Sequence, residues 1–332
     1  FNMDRKWNPK WKGKIEKIDG ITVFKIPALN WLPNSTRINL GVNLIPGRFT
    51  NLLKRYDVIH FHEIDLSFPL FSFLVSKPKI LHLHGIYADY LRRYSLSRFI
   101  LKHVADLYIS ISRHMEKDLV ELGFAKDKII YLPNAVDTKL FGPMGKKEDN
   151  LLLFVGRITF GKGLHTLLES LHHLKEPVHL VIIGSSDWSH EYYQDMLKLM
   201  ERENRKGIHK ITYLGALDQA DIVKWYQKAS IFILPSFGEG FPVVTLEALS
   251  CETPVIATPV GGIPEVVQNH ENGVLVPPNN SISLTKAIQF LLENKETRTR
   301  FGSEGRKRIV KNYSLEAAVE KLRRIYGQLI NS

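Results

Sequence analysis

The stretch Phe237-Gly238-Glu239-Gly240-Phe241-Pro242, followed by Val243 to Ser250, decides the fold predicted for this chain. It comes directly after Ile231-Phe232-Ile233-Leu234-Pro235, an apolar run short enough for a buried strand. The two glycines let the backbone turn sharply and approach a ligand closely. Pro242 suits the first turn of a helix. The sequence therefore predicts a strand, an open loop and a helix N-terminus that directs unpaired N–H groups at an anion.

Two carboxylates belong to this stretch, Glu239 in the loop and Glu247 on the predicted helix. If all the intervening residues were helical, Glu239 and Glu247 would be about 12 Å apart along the helix axis. Their side chains would point in directions about 80° apart around that axis. The paired carboxyl groups of glycoside hydrolases lie about 5 to 9.5 Å apart. The spacing therefore favours two separate tasks along one elongated ligand. The alternative is that Glu239 is a loop-surface charge and Glu247 an ordinary exposed helix residue.

Short apolar strands alternate with helical stretches along the whole chain, which predicts two doubly wound parallel sheets of the Rossmann-like α/β class. The polar segment 143–150 lacks periodicity and is interpreted as a linker between domains at 1–142 and 151–312, with a terminal helix at 313–332. In the first domain the predicted alternation includes a strand at 21–26 and helices at 66–75 and 90–104. Two such domains bind a ligand beyond the carboxyl ends of their strands.

Composition is that of a folded globular protein, with 44% hydrophobic and 24% charged residues among 332. No apolar run approaches the roughly 18 residues that a membrane-spanning helix requires. The single cysteine, Cys251, has no partner for an internal disulfide and is expected to be a small buried residue. No signal peptide is recognised after Phe1, and we expect a cytoplasmic protein.

Positive charge is concentrated in the first half of the chain. Residues 1–150 carry a net charge of +9 and the remainder +2, within a total of +11. This asymmetry indicates an anionic partner, such as a membrane surface at which the protein is peripheral, a phosphorylated lipid or an acidic sugar. The alternative is charge that serves solubility. Nucleic acid explains the charge less well, because no recognised binding motif accompanies it.

A predicted strand at 151–155 runs into Gly156-Arg157-Ile158-Thr159-Phe160-Gly161-Lys162-Gly163. This loop is nearly a phosphate-binding P-loop, but Gly163 stands where a Ser or Thr would hold Mg²⁺. A degenerate P-loop NTPase is therefore one alternative function. Without the glycines, Arg157 and Lys162 would be interpreted as two surface cations.

Four histidines form two His-x-His pairs, His60 with His62 and His82 with His84. Strand alternation places each pair on one face, and four imidazoles on neighbouring strands would suggest zinc. The sulfur and carboxylate partners usual for zinc are missing apart from Glu63. We therefore interpret His60, His62 and His82 as packing or strand-end residues and assign no metal ligand.

Glu239 and Glu247, with the intervening residues, resemble the glutamate-seven-residues-glutamate motif of the family 4 retaining glycosyltransferases, which have the GT-B fold of two Rossmann-like domains facing across a cleft. Pro133-Asn134-Ala135-Val136-Asp137 and Gly261-Gly262-Ile263-Pro264-Glu265 resemble further motifs of that family. The chain departs from the family pattern at its start, where the family's first strand-loop-helix unit is not recognised, so we expect either a fragment or an unusually short first domain. We expect an acceptor-side N-terminal domain that is short at its start and a C-terminal nucleotide-sugar-binding domain, with the terminal helix packing back on the first.

The resemblance implies transfer of a sugar from a nucleotide-diphosphate sugar to an acceptor hydroxyl with retention. Arg157 and Lys162 match the family's diphosphate-binding cations, so no divalent metal or other cofactor is expected. Glu239 would hold the donor sugar and Glu247 the ribose. Gly240, Phe241, Pro242 and Val243 would line the donor site.

The same resemblance assigns His84 to the acceptor side, where it would contact the donor sugar or the incoming hydroxyl of a sugar, lipid-linked or small-molecule acceptor. A nucleotide-sugar epimerase of GT-B fold and an inactive nucleotide-sugar-binding protein stay open as alternatives.

Overall fold

The computed structural model describes residues 14–18, 21–25, 29–30, 41–42, 51, 53–62, 75–85, 88–185 and 190–331. The chain divides into two compact units. The first comprises residues 1–110, 117–130 and 324–332, and the second comprises residues 111–116 and 131–323. Within the described ranges, no helix combines the length and apolar character needed to cross a membrane.

The first unit contains a four-stranded sheet, in the order β5-β6-β7-β8. Its strands are β5 (Ile59–His62), β6 (Lys79–Leu83), β7 (Leu107–Ser110) and β8 (Ile129–Tyr131), and the pairs β5–β6 and β6–β7 are parallel. Helices α1 (Ala88–Arg93), α2 (Ser95–Val104) and α3 (Arg113–Glu121) connect the strands. The single helix predicted at 90–104 is thus two helices, because Tyr94 leaves helical geometry at φ −112° and ψ 89°. The helix predicted at 66–75 lies almost entirely outside the described residues.

The amino-terminal part differs from the predicted alternation. Strand β1 (Lys14–Ile18) pairs antiparallel with β2 (Ile21–Lys25), and Ile18 lies opposite Ile21. A second short antiparallel pair joins β3 (Leu29–Asn30) to β4 (Gly41–Val42). The strand predicted at 21–26 therefore belongs to a hairpin and not to the parallel sheet. Asp19-Gly20, between the paired strands, is the dipeptide typical of a two-residue hairpin loop.

The second unit is built on a six-stranded parallel sheet in the order β11-β10-β9-β12-β13-β14. The strands are β9 (Glu148–Val155), β10 (His179–Ile183), β11 (Lys210–Tyr213), β12 (Ala229–Leu234), β13 (Val255–Ala257) and β14 (Gly273–Leu275). The helices are α4 (Leu164–Leu171), α5 (His190–Arg205), α6 (Gln219–Lys228), α7 (Val243–Ser250), α8 (Ile263–Val266), α9 (Ser281–Glu293), α10 (Lys295–Asn312) and α11 (Leu315–Asn331). From Arg324 onward, α11 groups with the first unit.

Burial on both faces explains why the strands of the second unit are continuous apolar runs. All six residues of β12 are buried, and so are the last five of β9. Their side chains pack against α4 and α9 in one cluster that includes Leu152, Ile231 and Ile288. The central strands β9 and β12 are thereby held rigidly side by side, and their carboxyl ends lie next to each other.

Strand β9 begins at Glu148, inside the segment that the sequence predicts to be a linker. Lys147, immediately before it, donates hydrogen bonds to the carbonyl oxygens of Tyr226 (2.9 Å) and Cys251 (2.8 Å) and to the hydroxyl of Thr253 (2.6 Å). Burial lowers the pKa of Lys147 to about 8, which leaves it protonated at neutral pH. A charge tied to three buried acceptors anchors the residues before β9 to the second unit.

We predict that Lys147→Met lowers the free energy of unfolding of the second unit by about 2 to 4 kcal/mol, because buried acceptors lose a charged donor. Denaturant unfolding monitored by circular dichroism measures the change. Lys146→Met is the matched control, since Lys146 is exposed and its substitution is expected to cost less than about 0.5 kcal/mol. Equal effects of the two substitutions would contradict the anchoring role of Lys147.

Candidate functional site

The candidate site lies at the carboxyl ends of β9 and β12. The sheet order continues from β9 to β10 on one side and from β12 to β13 on the other, so the connections that leave these two strands run in opposite directions. Ligands of open parallel sheets bind in the crevice at such a switch point. The loop after β9 carries Arg157 and Lys162, and the loop after β12 carries Glu239.

The two loops are in backbone contact. A short 3₁₀ turn, Phe160–Lys162, ends at Gly163, whose φ of 68° is left-handed. A Cβ atom at Gly163 would lie 2.0 Å from the carbonyl oxygen of Pro235, so only glycine permits this approach. The amide of Phe237 donates to the carbonyl oxygen of Gly161 at 2.8 Å. The glycines of the P-loop-like segment therefore bring Lys162 against the loop after β12.

Glu239 and Lys162 form an ion pair, with 2.5 Å between Oε1 and Nζ. The Glu239 side chain is 8% exposed and that of Lys162 21%. The Ser236 hydroxyl donates a second hydrogen bond to the same oxygen at 2.7 Å. These two donors satisfy a carboxylate that would otherwise be costly to bury. The lysine ammonium has three N–H donors, which leaves capacity for an anionic ligand beside Glu239.

Glu247 has a different environment. It lies on α7, and its Oε2 accepts a hydrogen bond from the hydroxyl of Tyr226 at 2.8 Å. Burial raises the pKa of the Glu247 carboxyl above its ordinary range. Helix α7 begins at Val243, so half of the interval between the two glutamates is loop and not helix. The two carboxylates therefore have different hydrogen-bond partners, Tyr226 for Glu247 and Lys162 for Glu239.

The loop from Glu239 to Pro242 is fixed by close packing from the next strand connection. A Cβ atom at Gly261 would lie 1.7 Å from the carbonyl oxygen of Glu239. The amide of Gly262 donates to the carbonyl oxygen of Gly240 at 2.9 Å, and the side-chain amide of Asn134 donates to that of Phe241 at 2.8 Å. The motif segments containing Asn134 and Gly261 therefore shape the loop that carries Glu239.

Ser236 and Tyr226 are the residues that sequence reasoning missed. Tyr226 is fully buried on α6, and Ser236 directly follows Pro235 at the end of β12. Each donates to one of the two glutamates. Ser236 is three residues from Glu239 and could have been suspected from proximity, whereas no local signal in the sequence connects Tyr226 to Glu247.

The remaining predicted residues are placed as follows. Arg157 is exposed at the end of β9, two residues beyond Val155. Pro242 caps α7, and Val243 is its first residue.

Cys251 is fully buried, and burial raises the pKa of its thiol to about 12, which excludes a thiolate nucleophile at neutral pH.

His84 belongs to the first unit and follows β6. Its Nε2 is 2.8 Å from Nδ1 of His62.

Comparison with known families accounts for nearly the whole chain. The family described as Glycosyl transferases group 1 matches residues 137–308, and the family described as Glycosyltransferase Family 4 matches residues 9–140. The first match contains Arg157, Lys162, Glu239 and Glu247, and the second contains His84.

Individual relatives agree with the family matches. An uncharacterized glycosyltransferase of Methanocaldococcus jannaschii is 29% identical over 92% of this chain and 82% of its own length. The alpha-maltose-1-phosphate synthase of Mycolicibacterium smegmatis is 26% identical over 89% of this chain and 83% of its own length.

Solved structures show the same fold. Sucrose-phosphate synthase from Thermosynechococcus elongatus superposes with a TM-score of 0.80 at 23% identity, covering 98% of this chain and 88% of that one. Anabaena HepE, solved in complex with UDP, superposes with a TM-score of 0.76 at 19% identity, covering 86% of this chain and 83% of that one. Both comparisons support the GT-B fold of two parallel-sheet domains. The chain belongs to the group 1, family 4 glycosyltransferases and is an enzyme that transfers sugar.

Proposed function

We propose that this glycosyltransferase moves a sugar from a nucleotide-diphosphate sugar to an acceptor hydroxyl with retention of configuration. The observation that carries the proposal is the Lys162–Glu239 ion pair at the switch point of the second sheet. It places a cation suited to a diphosphate beside a carboxylate suited to sugar hydroxyls. The family assignment replaces the alternative of a degenerate P-loop NTPase.

Arg157 and Lys162 bind the diphosphate in this proposal. A leaving nucleoside diphosphate develops negative charge as the glycosidic bond to the donor breaks, and fixed cations stabilise that charge without reorganisation. The first N–H groups of α7, beside Gly240, Phe241, Pro242 and Val243, add a favourable dipole. Two cationic side chains remove the need for a divalent metal at the diphosphate.

Glu239 binds the donor sugar and Glu247 the ribose. Each accepts hydrogen bonds from vicinal hydroxyls, which a carboxylate does well because it has two acceptor oxygens. Tyr226 holds Glu247 in a fixed orientation, and Ser236 does the same for Glu239. Fixed acceptors lower the entropic cost of positioning the sugar for transfer.

The acceptor side involves His84, by its match to the family's histidine. A phosphate oxygen of the leaving group is the proposed acceptor of the hydroxyl proton, since none of the assigned side chains is an obvious base. Attack on the same face from which the diphosphate departs would retain the configuration. The charge of +9 over residues 1–150 supports peripheral contact with an anionic surface, such as a membrane that carries the acceptor.

A uridine diphosphate sugar is the first donor to examine, because Anabaena HepE was solved with UDP and with UDP-glucose. A thermal-shift series with UDP, GDP, ADP and their sugars identifies the nucleotide, since a ligand that binds only the folded state raises the melting temperature. The absence of a shift with all of these nucleotides would contradict the proposed donor class.

We predict that Lys162→Ala lowers kcat by about 100-fold or more, because the charge of the leaving diphosphate loses a preorganised partner. Steady-state kinetics with the identified donor measure the change, and the melting temperature reports whether the variant is folded. The control is Lys224→Ala, which removes an exposed lysine paired with Asp221 on α6 of the same unit. Unchanged turnover of a folded Lys162→Ala variant would remove Lys162 from the mechanism.

We predict that Glu247→Gln raises the KM for the donor by about 10-fold or more with a smaller effect on kcat, because ribose contacts are equally strong in the ground and transition states. In the wild type, donor KM should also rise as the pH falls, since protonation of Glu247 removes a hydrogen-bond acceptor for the ribose. Because burial raises the pKa of Glu247, this acidic limb of the pH profile should lie at higher pH than for an ordinary glutamate. A Gln at this position should abolish the limb, and its persistence would assign it to another group.

A further inference from the structure

Four imidazoles cluster on one face of the first sheet. The register pairs His62 with His82 across β5 and β6, and alternation along each strand adds His60 and His84 to the same face. Ring centroids are 4.4 Å apart for His60 and His62, 5.4 Å for His60 and His82, and 5.1 Å for His62 and His82. The cluster belongs to the first unit and lies outside the donor residues described above.

Buried ring nitrogens of this cluster lack hydrogen-bond partners. They are Nε2 of His60 and both Nδ1 and Nε2 of His82. A neutral imidazole has one N–H donor and one lone pair, so His82 leaves a donor and an acceptor unsatisfied. Each such buried group costs about 1 to 3 kcal/mol, and native proteins rarely leave it so without an ion or water to satisfy it. The sheet face therefore has nitrogen lone pairs without a partner.

We propose that His60, His62 and His82 together bind one divalent transition-metal ion of the Zn²⁺ class. Each offers a ring nitrogen, and the three nitrogens lie within 4.8 Å of one another. Tetrahedral zinc with Zn–N bonds near 2.0 to 2.1 Å needs nitrogens about 3.4 Å apart. The ring of His60 is stacked at interplanar angles of 22° on His62 and 12° on His82, so the rings must turn for their lone pairs to converge on the ion. Three imidazoles with one open position are a complete ligand set for zinc.

Two hydrogen bonds already orient the ligands. Nδ1 of His60 is 2.7 Å from the hydroxyl of Tyr326 on α11, which leaves Nε2 of His60 as the nitrogen available to a metal. Nδ1 of His62 is 2.8 Å from Nε2 of His84. Metal-binding histidines use the second ring nitrogen in this way, and the outer partner fixes the tautomer and the direction of the ring.

This proposal revises the interpretation of these three histidines as packing residues. Imidazoles alone suffice for zinc, so the missing sulfur ligands do not count against the site, and Glu63 lies outside the described residues. The three histidines belong to the first unit, whereas Arg157 and Lys162 belong to the second, and the proposal is independent of how the donor diphosphate is bound.

The test is titration of the full chain, stripped with EDTA, with ZnCl₂ by isothermal calorimetry. We expect one Zn²⁺ per chain, a higher melting temperature with Zn²⁺ than without it, and a cobalt absorption spectrum typical of tetrahedral nitrogen ligands after Co²⁺ is added. Absence of stoichiometric uptake by the wild type would overturn the proposal.

His82→Leu separates binding from folding. Leucine places an apolar group where His82 has two unsatisfied nitrogens, so the metal-free variant should melt no lower than the metal-free wild type. Its affinity for Zn²⁺ should fall at least 100-fold. The matched control is His103→Gln, an exposed histidine of the same unit whose Nδ1 contacts the carbonyl oxygen of Phe99, and its affinity should equal that of the wild type. Equal Zn²⁺ affinities of His82→Leu and the wild type would contradict the site.

Tyr326→Phe supplies a second variant that keeps all three ligands. Loss of the hydroxyl beside His60 should weaken Zn²⁺ binding by about 10- to 100-fold at an unchanged stoichiometry of one. A merely structural role of Tyr326 would lower the melting temperature and leave the Zn²⁺ affinity unchanged. Unchanged Zn²⁺ affinity in both Tyr326→Phe and His82→Leu would overturn the assignment of the three histidines as ligands.

Discussion

The ion pair between Glu239 and Lys162 is the constraint on which the second unit is organised. Removing two charges from water costs several kcal/mol for each ion, and their attraction offsets this only in good geometry with further hydrogen bonds. Ser236 supplies the further bond to the carboxylate. The geometry requires the loops after β9 and β12 to approach within a few ångströms, which the adjacency of those strands provides. The ion pair can therefore form only because β9 and β12 are neighbours in the sheet.

Backbone contacts without side chains make that approach possible. Gly163 lies against Pro235, and Gly261 lies against Glu239. A Cβ atom at Gly163 would be 2.0 Å from the carbonyl oxygen of Pro235, and one at Gly261 would be 1.7 Å from that of Glu239. Both glycines also have left-handed φ angles, 68° and 55°. They pin the loop of Glu239 from two sides, between the P-loop-like segment and the turn after β13. The similarity to a P-loop thus arises from a shared need for close backbone contact and not from a shared mechanism.

Most elements of the second unit could be predicted because buried parallel strands are continuous apolar runs and their helices have clear ends. The strand predicted at 151–155, for example, forms the last five residues of β9, Glu148–Val155. The hairpin at residues 14–25 was missed because the alternation beyond it suggested a parallel strand, although Asp19-Gly20 signals a tight loop. In the candidate site, the sequence predicted Lys162 and Glu239, which the structure brings into contact. Tyr226, which the fold brings to Glu247, has no local signature in the sequence.

The turn after α7 contains a strained residue. Glu252, which follows the C-cap residue Cys251, has a left-handed φ of 58°. Such a conformation costs a non-glycine residue roughly 1 to 2 kcal/mol. The sequence gives no sign of this strain, which only the backbone angle shows.

The Lys162–Glu239 pair and the histidine cluster differ in a way that indicates the charge and size of what each binds. Glu239 and Lys162 are satisfied by each other, and a lysine with three donors can still accept an anion as large as a diphosphate. A small cation requires the opposite arrangement, because a protein donor on each lone pair would compete with the metal. His60 and His82 have ring nitrogens without partners on one sheet face. An anion site can be internally satisfied before its ligand arrives, whereas a cation site must leave its lone pairs open.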